Sequence, residues 1–104
     1  MDLVKSMGFV AVAFPRAVDF LKSTYVSNTS CLIADVQIPG MTGMELYTRL
    51  LKLGKAIPTI LITASPDDED RARAKRAGVI CYLVKPYNPA DLLAGLRAAI
   101  RSRQ

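Results

Sequence analysis

Three short apolar runs, each closed by a polar residue, constrain this chain more than anything else in it. Cys31-Leu32-Ile33-Ala34 runs into Asp35, Thr59-Ile60-Leu61-Ile62 into Thr63, and Ile80-Cys81-Tyr82-Leu83-Val84 into Lys85. None alternates apolar with polar. A strand with one face in water alternates, whereas a strand covered on both faces has no reason to, so these runs predict a parallel sheet between two layers. Phe9-Val10-Ala11-Val12-Ala13-Phe14 is a fourth candidate strand.

Helical patterns fill the gaps between the runs. Pro15 can open a helix bearing Ala17, Val18, Phe20 and Leu21. After Thr42-Gly43, Leu46, Tyr47, Leu50 and Leu51 recur at helical spacing, and Gly54 can terminate that helix. Residues 67–77 form a third helix with Gly78 just past its end. Asn88 can cap a fourth, with Pro89 at its first position and Leu92, Leu93, Leu96 and Ile100 on one face. Alternating strands and helices joined by short loops predict an α/β fold with right-handed crossovers. With 104 residues, and no repeat or linker, residues 1–104 are expected to make one domain. A hydrophobic fraction of 51% supplies a core, and 22% charged residues argue against disorder.

Composition also excludes several classes. There is no histidine, which removes histidine-based triads, general bases and metal sites. Cys31 and Cys81 are too far apart in sequence for a metal-ligand spacing. On strands flanking the Ile60 strand they would lie about 9–10 Å apart, two strand spacings, too far for a disulfide. Two reduced thiols and a start unlike a signal peptide predict a cytoplasmic protein. No apolar run approaches the roughly 18–20 residues of a membrane span. The net charge of +5 could suit nucleic acid. The aromatic residues are few and not interleaved with the basic ones, so solvated helix faces are the expected explanation and no direct nucleic-acid contact is expected.

In open α/β sheets, ligands bind beyond the carboxyl ends of the strands. If the three strands are parallel, Asp35, Thr63 and Lys85 converge on one edge. An aspartate there can act as a nucleophile and form an acyl phosphate. The added phosphoryl oxygens need donors and positive charge, which Thr63 and Lys85 can supply. Taken singly, each residue has an ordinary explanation as a turn residue, a strand end or an exposed charge. Three equivalent strand ends are less easily dismissed.

The same residues resemble a known family. Ala34-Asp35-Val36-Gln37-Ile38-Pro39-Gly40-Met41-Thr42-Gly43 is similar to the phosphoacceptor strand and loop of response-regulator receiver domains. Ile62-Thr63-Ala64 and Tyr82-Leu83-Val84-Lys85-Pro86 resemble their switch and Lys-Pro segments. Phe14-Pro15-Arg16-Ala17-Val18-Asp19-Phe20-Leu21 resembles the subgroup found in nitrogen-fixation and sensing regulators with a DNA-binding output domain. The resemblance implies a flavodoxin-like, CheY-like parallel sheet with helices on both faces. It implies a two-component phosphorelay in which Asp35 accepts a phosphoryl group from a sensor histidine kinase. Lys85 and Thr63 would contact that group, Thr63 and Tyr82 would form the switch, and Tyr82 would report to the outer face. Asp35 and the backbone carbonyl of Gln37 would be ligands for Mg²⁺, and the bond preceding Pro86 would be cis. The chain would be a phosphoacceptor signalling domain rather than an enzyme. The haloacid-dehalogenase-like phosphatases also use a strand-end aspartate, but they need a second one two positions on, where this chain has Gln37.

One departure from the family pattern matters. Receiver domains open with a strand ending in an acidic pair that holds Mg²⁺, and this chain begins inside what would be the first helix, with Asp2 away from the site. Magnesium binding is therefore expected to be weak. Asp67 and Asp68 are expected to open a helix, where carboxylates suit the dipole. In the family's strand order 2-1-3-4-5 the absent first strand lies between the Phe9 and Leu32 strands, leaving two unpaired edges. Those edges are expected to pair directly, to exchange a strand with a second copy, or to leave the chain poorly stable. An alternative to the phosphoacceptor is a degenerate pseudo-receiver, a binding or dimerisation module independent of phosphorylation. The third helix starts acidic and ends basic, with expected i,i+4 pairs Asp67–Arg71 and Glu69–Arg73. By the resemblance, it and the last helix, bearing Arg97 and Arg101, would form a homodimer or partner face.

Overall fold

The computed structural model describes residues 11–38 and 40–102. Five strands are present: β1 (Leu32–Asp35), β2 (Gln37–Ile38), β3 (Met41–Thr42), β4 (Thr59–Thr63) and β5 (Cys81–Val84). The three apolar runs become β1, β4 and β5, which form one parallel sheet in the order β1-β4-β5. The register pairs Leu32 with Thr59 and Asp35 with Ile62 on one side of β4, and Ile60 with Cys81 and Thr63 with Val84 on the other. Every residue of β4 is buried, which is why its run is unbroken by polar residues. β1 and β5 are largely half-buried, because among the described residues each is bonded to one strand only.

The helices are α1 (Ala17–Leu21), α2 (Gly43–Lys52), α3 (Asp68–Ala77) and α4 (Pro89–Ser102). Side chains of β4 alternate between two apolar layers, as the period of a strand requires. Leu61 joins Ala17 and Phe20 of α1, Leu46 and Leu50 of α2 and Ala74 of α3. Ile60 and Ile62 join Leu92 and Leu96 of α4 on the opposite face. Helices thus cover both faces, as the runs predict.

Helix ends follow the sequence signals. The Thr42 hydroxyl accepts the Glu45 N–H at 3.0 Å while the Glu45 carboxylate accepts the Thr42 N–H at 3.3 Å, a reciprocal capping box. Asn88 accepts the Ala90 N–H at 2.8 Å just before α4. Gly78 ends α3 at φ +97°, a left-handed conformation that favours glycine, with the Val79 N–H bonded to the Ala74 carbonyl.

Several local details differ from the expectation. The fourth candidate strand does not form where it can be seen: Phe9 and Val10 lie outside the described residues, and residues 11–14 have no strand assignment. A strand needs a neighbour about 4.8 Å away to complete its ladder. Instead residues 11–17 and β1 face each other across a groove of about 840 Å³. Asp67 turns its carboxylate back to accept the N–H groups of Glu69 and Asp70, so it caps the helix rather than pairing with Arg71. Arg73 approaches Asp70 at 3.6 Å, not Glu69, and Arg71 lies 5.3 Å over the Tyr82 ring. A 3-10 turn at Thr24–Asn28 and the β2–β3 hairpin have no counterpart in the sequence reading.

Leu50 is 1% exposed against the Leu61 layer. Leu50→Ala should destabilise the fold by about 2–5 kcal/mol, the usual cost of such a cavity, measurable by urea denaturation.

Candidate functional site

The backbone sets the site before any side chain does. One step past the strands, the Val36 N–H bonds to the Ile62 carbonyl and the Lys85 N–H to the Thr63 carbonyl, both at 2.8 Å. These bonds level the ends of β1 and β5 against β4, so Asp35 and Lys85 face each other across its end. Lys85 Nζ reaches Asp35 Oδ2 at 2.7 Å. The Gln37 N–H donates to the other oxygen, Oδ1, at 3.1 Å.

The hydrogen bond from Lys85 is the main cause that holds the Asp35 carboxyl below the usual carboxylate range, against the opposing effect of desolvation. The Gln37 N–H and the lysine charge add to the lowering. The group is therefore an anion at neutral pH, the form a nucleophile needs. The side chains of Lys85 and Asp35 are 46% and 39% exposed, so water screens their attraction and it contributes at most about 1 kcal/mol.

Thr63 is buried at the end of β4, and its hydroxyl accepts the Ser65 N–H at 3.0 Å. A hydroxyl has one proton to donate as well. Tyr82 packs partly buried against the layer formed by α2 and α3. Its hydroxyl is buried and has no hydrogen-bond partner among the described residues. The Lys85–Pro86 peptide bond is cis.

The two thiols are free. Burial pushes Cys31 up to about 12, with Cys81 nearby adding to the shift, and burial followed by Asp91 raises Cys81. Both stay protonated at neutral pH and are poor nucleophiles. Among these groups, Asp35 has the nucleophile's charge state and exposure.

Sequence reasoning missed two features. The family resemblance places Gln37 at the site through its carbonyl, yet its N–H is what touches the carboxylate. Gly43 closes the loop motif and precedes a helix in the sequence reading, which gives it no contact of its own, yet its N–H bonds to the Val36 carbonyl at 2.8 Å, beside Asp35. A glycine just after a residue that already serves as cap was the available signal.

The family described as "Response regulator receiver domain" matches residues 1–97. The chain is 39% identical over 98 residues to nodulation protein W of Bradyrhizobium diazoefficiens, covering 94% of this chain and 43% of that protein. It is 35% identical over 100 residues to response regulator protein TodT of Pseudomonas putida, covering 96% and 44%. The solved structure of response regulator StyR superposes with a TM-score of 0.87 at 34% identity, covering 96% of this chain and 50% of that one. A CheY-like receiver domain from Methanospirillum hungatei superposes at 0.80, covering 97% and 81%; at 24% identity it bears on the fold alone. The chain belongs to the response-regulator receiver family, and its fold is that of CheY-like receivers. It spans less than half the length of the two curated relatives. These relatives are signalling proteins rather than enzymes of the ordinary kind, and response regulators work with histidine kinases and often dimerise. No helix among the described residues is long and apolar enough to cross a membrane.

Receiver domains generally bind Mg²⁺. The donors around Asp35 do not by themselves fit that ion. Among the described residues Asp35 is the one carboxylate at the site, with both oxygens already engaged, by an ammonium and an amide. Among the described residues no group of three or more histidine, cysteine, aspartate or glutamate side chains could hold a metal. Magnesium keeps near-octahedral oxygen ligands and is reluctant to dehydrate, so a lone, ion-paired carboxylate is a weak host.

The depressed pKa fixes the sign of a pH effect. Stabilisation from the Asp35–Lys85 pair is fully present above the ordinary aspartate value, about 3.9, and is lost as pH falls through the lower folded value. Lys85→Gln should return the Asp35 pKa towards about 3.9 in a carboxyl-carbon NMR titration, and should flatten this part of the acid limb of stability.

Proposed function

We propose that residues 1–104 act as one receiver module of a two-component phosphorelay, in which Asp35 accepts a phosphoryl group from a sensor histidine kinase in the cytoplasm. The observation behind this reading is the 2.7 Å contact between the Lys85 ammonium and the strand-end carboxylate. An Asp35 oxygen attacks phosphorus, an O–P bond forms, the P–N bond of the donor phosphohistidine breaks, and the imidazole leaves with the electron pair. Lys85 then exchanges its contact with the carboxylate for one with a phosphoryl oxygen. Thr63 turns its hydroxyl proton to another of those oxygens, and Tyr82 responds on the adjoining face. The partner surface lies on α3 and α4, used by a second copy or an output segment; strand exchange along β1 is the other route to a dimer. No direct contact with nucleic acid is part of this reading.

A second reading has an observation of its own. Among the described residues Asp35 is a lone carboxylate with both oxygens engaged and weak prospects of holding Mg²⁺. That favours a pseudo-receiver, working through the same surfaces without accepting phosphate.

Acetyl phosphate with Mg²⁺, followed by intact mass, separates the two readings. The phosphoacceptor gains one phosphoryl group, and Asp35→Asn does not. Lys85→Ala should slow labelling about 10²–10³-fold, the range seen when one stabiliser of a charged transition state is removed. No gain at any Mg²⁺ concentration would establish the pseudo-receiver.

A further inference from the structure

Gly43 opens α2 at an unusually tight place. A Cβ added there would lie 2.7 Å from the Asp35 carbonyl oxygen, 3.3 Å from Val36 Cα and 2.9 Å from Leu61 Cδ2. Two of these atoms are backbone at the end of β1, and cannot rotate away as a side chain could. The requirement is for space and not for an unusual backbone: the positive-φ glycines are Gly40, Gly54 and Gly78.

The surrounding contacts leave little slack. The Gly43 N–H holds the Val36 carbonyl, and the Val36 N–H holds Ile62. Gln37, next along, donates to the Asp35 carboxylate and pairs with Thr42 in the hairpin. Thr42 and Glu45 lock the first turn of α2. The loop between Asp35 and Gly43 is thus clamped at both ends, with the helix pressed against the peptide of the reacting residue.

We propose that Gly43 is a positioning residue for Asp35, its missing side chain letting α2 seat the end of β1 at the depth where the carboxylate meets Lys85. A methyl group there cannot be accommodated without a shift of the Asp35 peptide relative to the start of α2. The Asp35–Lys85 contact, now at full hydrogen-bond closeness, opens with that shift. The proposal rests on the phosphoacceptor reading only for its effect on reaction rate; the geometric effect stands apart from it.

The test compares Gly43→Ala with Gly95→Ala. Gly95 is as crowded, with an added Cβ 2.8 Å from Cys81 Sγ and 3.0 Å from Ile60 Cδ1, but it lies on α4 at the opposite face. Both variants should lose thermal stability. In crystal structures of the variants, Gly43→Ala should lengthen the Asp35–Lys85 contact from its 2.7 Å, and Gly95→Ala should leave it unchanged. Gly43→Ala with Leu61→Ala removes the side-chain conflict but keeps the backbone one, so it should still show the longer contact. This double variant is read in place of the single one if the latter does not fold. An unchanged Asp35–Lys85 contact in whichever of these folds, or an equal lengthening in Gly95→Ala, overturns the proposal. In the acetyl-phosphate assay, Gly43→Ala should label about 10-fold more slowly, in keeping with the roughly 10²-fold cost of a full 1 Å misplacement. If the wild type takes no label at all, the phosphoacceptor reading fails while the measured contact still decides the role of Gly43.

Discussion

Everything in this structure hangs on one strand. β4 is the only element of the parallel sheet bonded on both sides among the described residues, and all five of its residues are buried. Its alternating side chains nucleate both apolar layers, Leu61 on one side and Ile60 and Ile62 on the other. It also sets the chemistry, because the carbonyls of Ile62 and Thr63 fix where β1 and β5 stop. A strand with no charged side chain of its own therefore brings an anion and a cation to face each other across its end.

That juxtaposition serves two purposes that pull against each other. In the resting state the ammonium holds the carboxylate ionised and oriented. Under the proposed phosphoacceptor reading, the same contact occupies one of the two oxygens available to attack, and the lysine must exchange it for a phosphoryl oxygen. The pair is exposed enough for water to keep its strength near 1 kcal/mol or below. Such a bond orients a side chain without trapping it. A buried pair would have been far harder to exchange for a new partner.

The sequence made the sheet, several helix ends and the Asp35–Lys85 encounter legible, because each rests on a local rule: unbroken apolar runs, Asn88 before the last helix, Gly54 and Gly78 past the ends of two others, polar residues at equivalent strand ends. It was less informative where tertiary geometry decides. Residues 11–14 have strand-like composition, but a strand exists only when its neighbour is within bonding reach, and composition cannot see the neighbour. Helical spacing allowed Asp67–Arg71 and Glu69–Arg73 pairs, but Asp67 found unbonded backbone N–H groups closer, and Arg71 found a ring from another element. The crowding at Gly43 is not legible because it arises only when the loop folds the start of α2 back against the Asp35 peptide.

Consider last the helix α3. Of its ten residues only Ala74 is buried, so its apolar grip on the sheet is one methyl group wide. Much of the remaining attachment runs through the Arg71 guanidinium over the Tyr82 ring and the Tyr47 hydroxyl bonded to the Ala77 carbonyl at 3.0 Å. Segments with few buried apolar contacts open at a fraction of the global unfolding free energy. In hydrogen exchange this helix would stand out as an early-opening unit beside a slow-exchanging β4. Its hold depends on an aromatic residue three positions before Lys85. Any displacement of the Tyr82 ring would thus change how tightly one helix is fastened, with no new shape required.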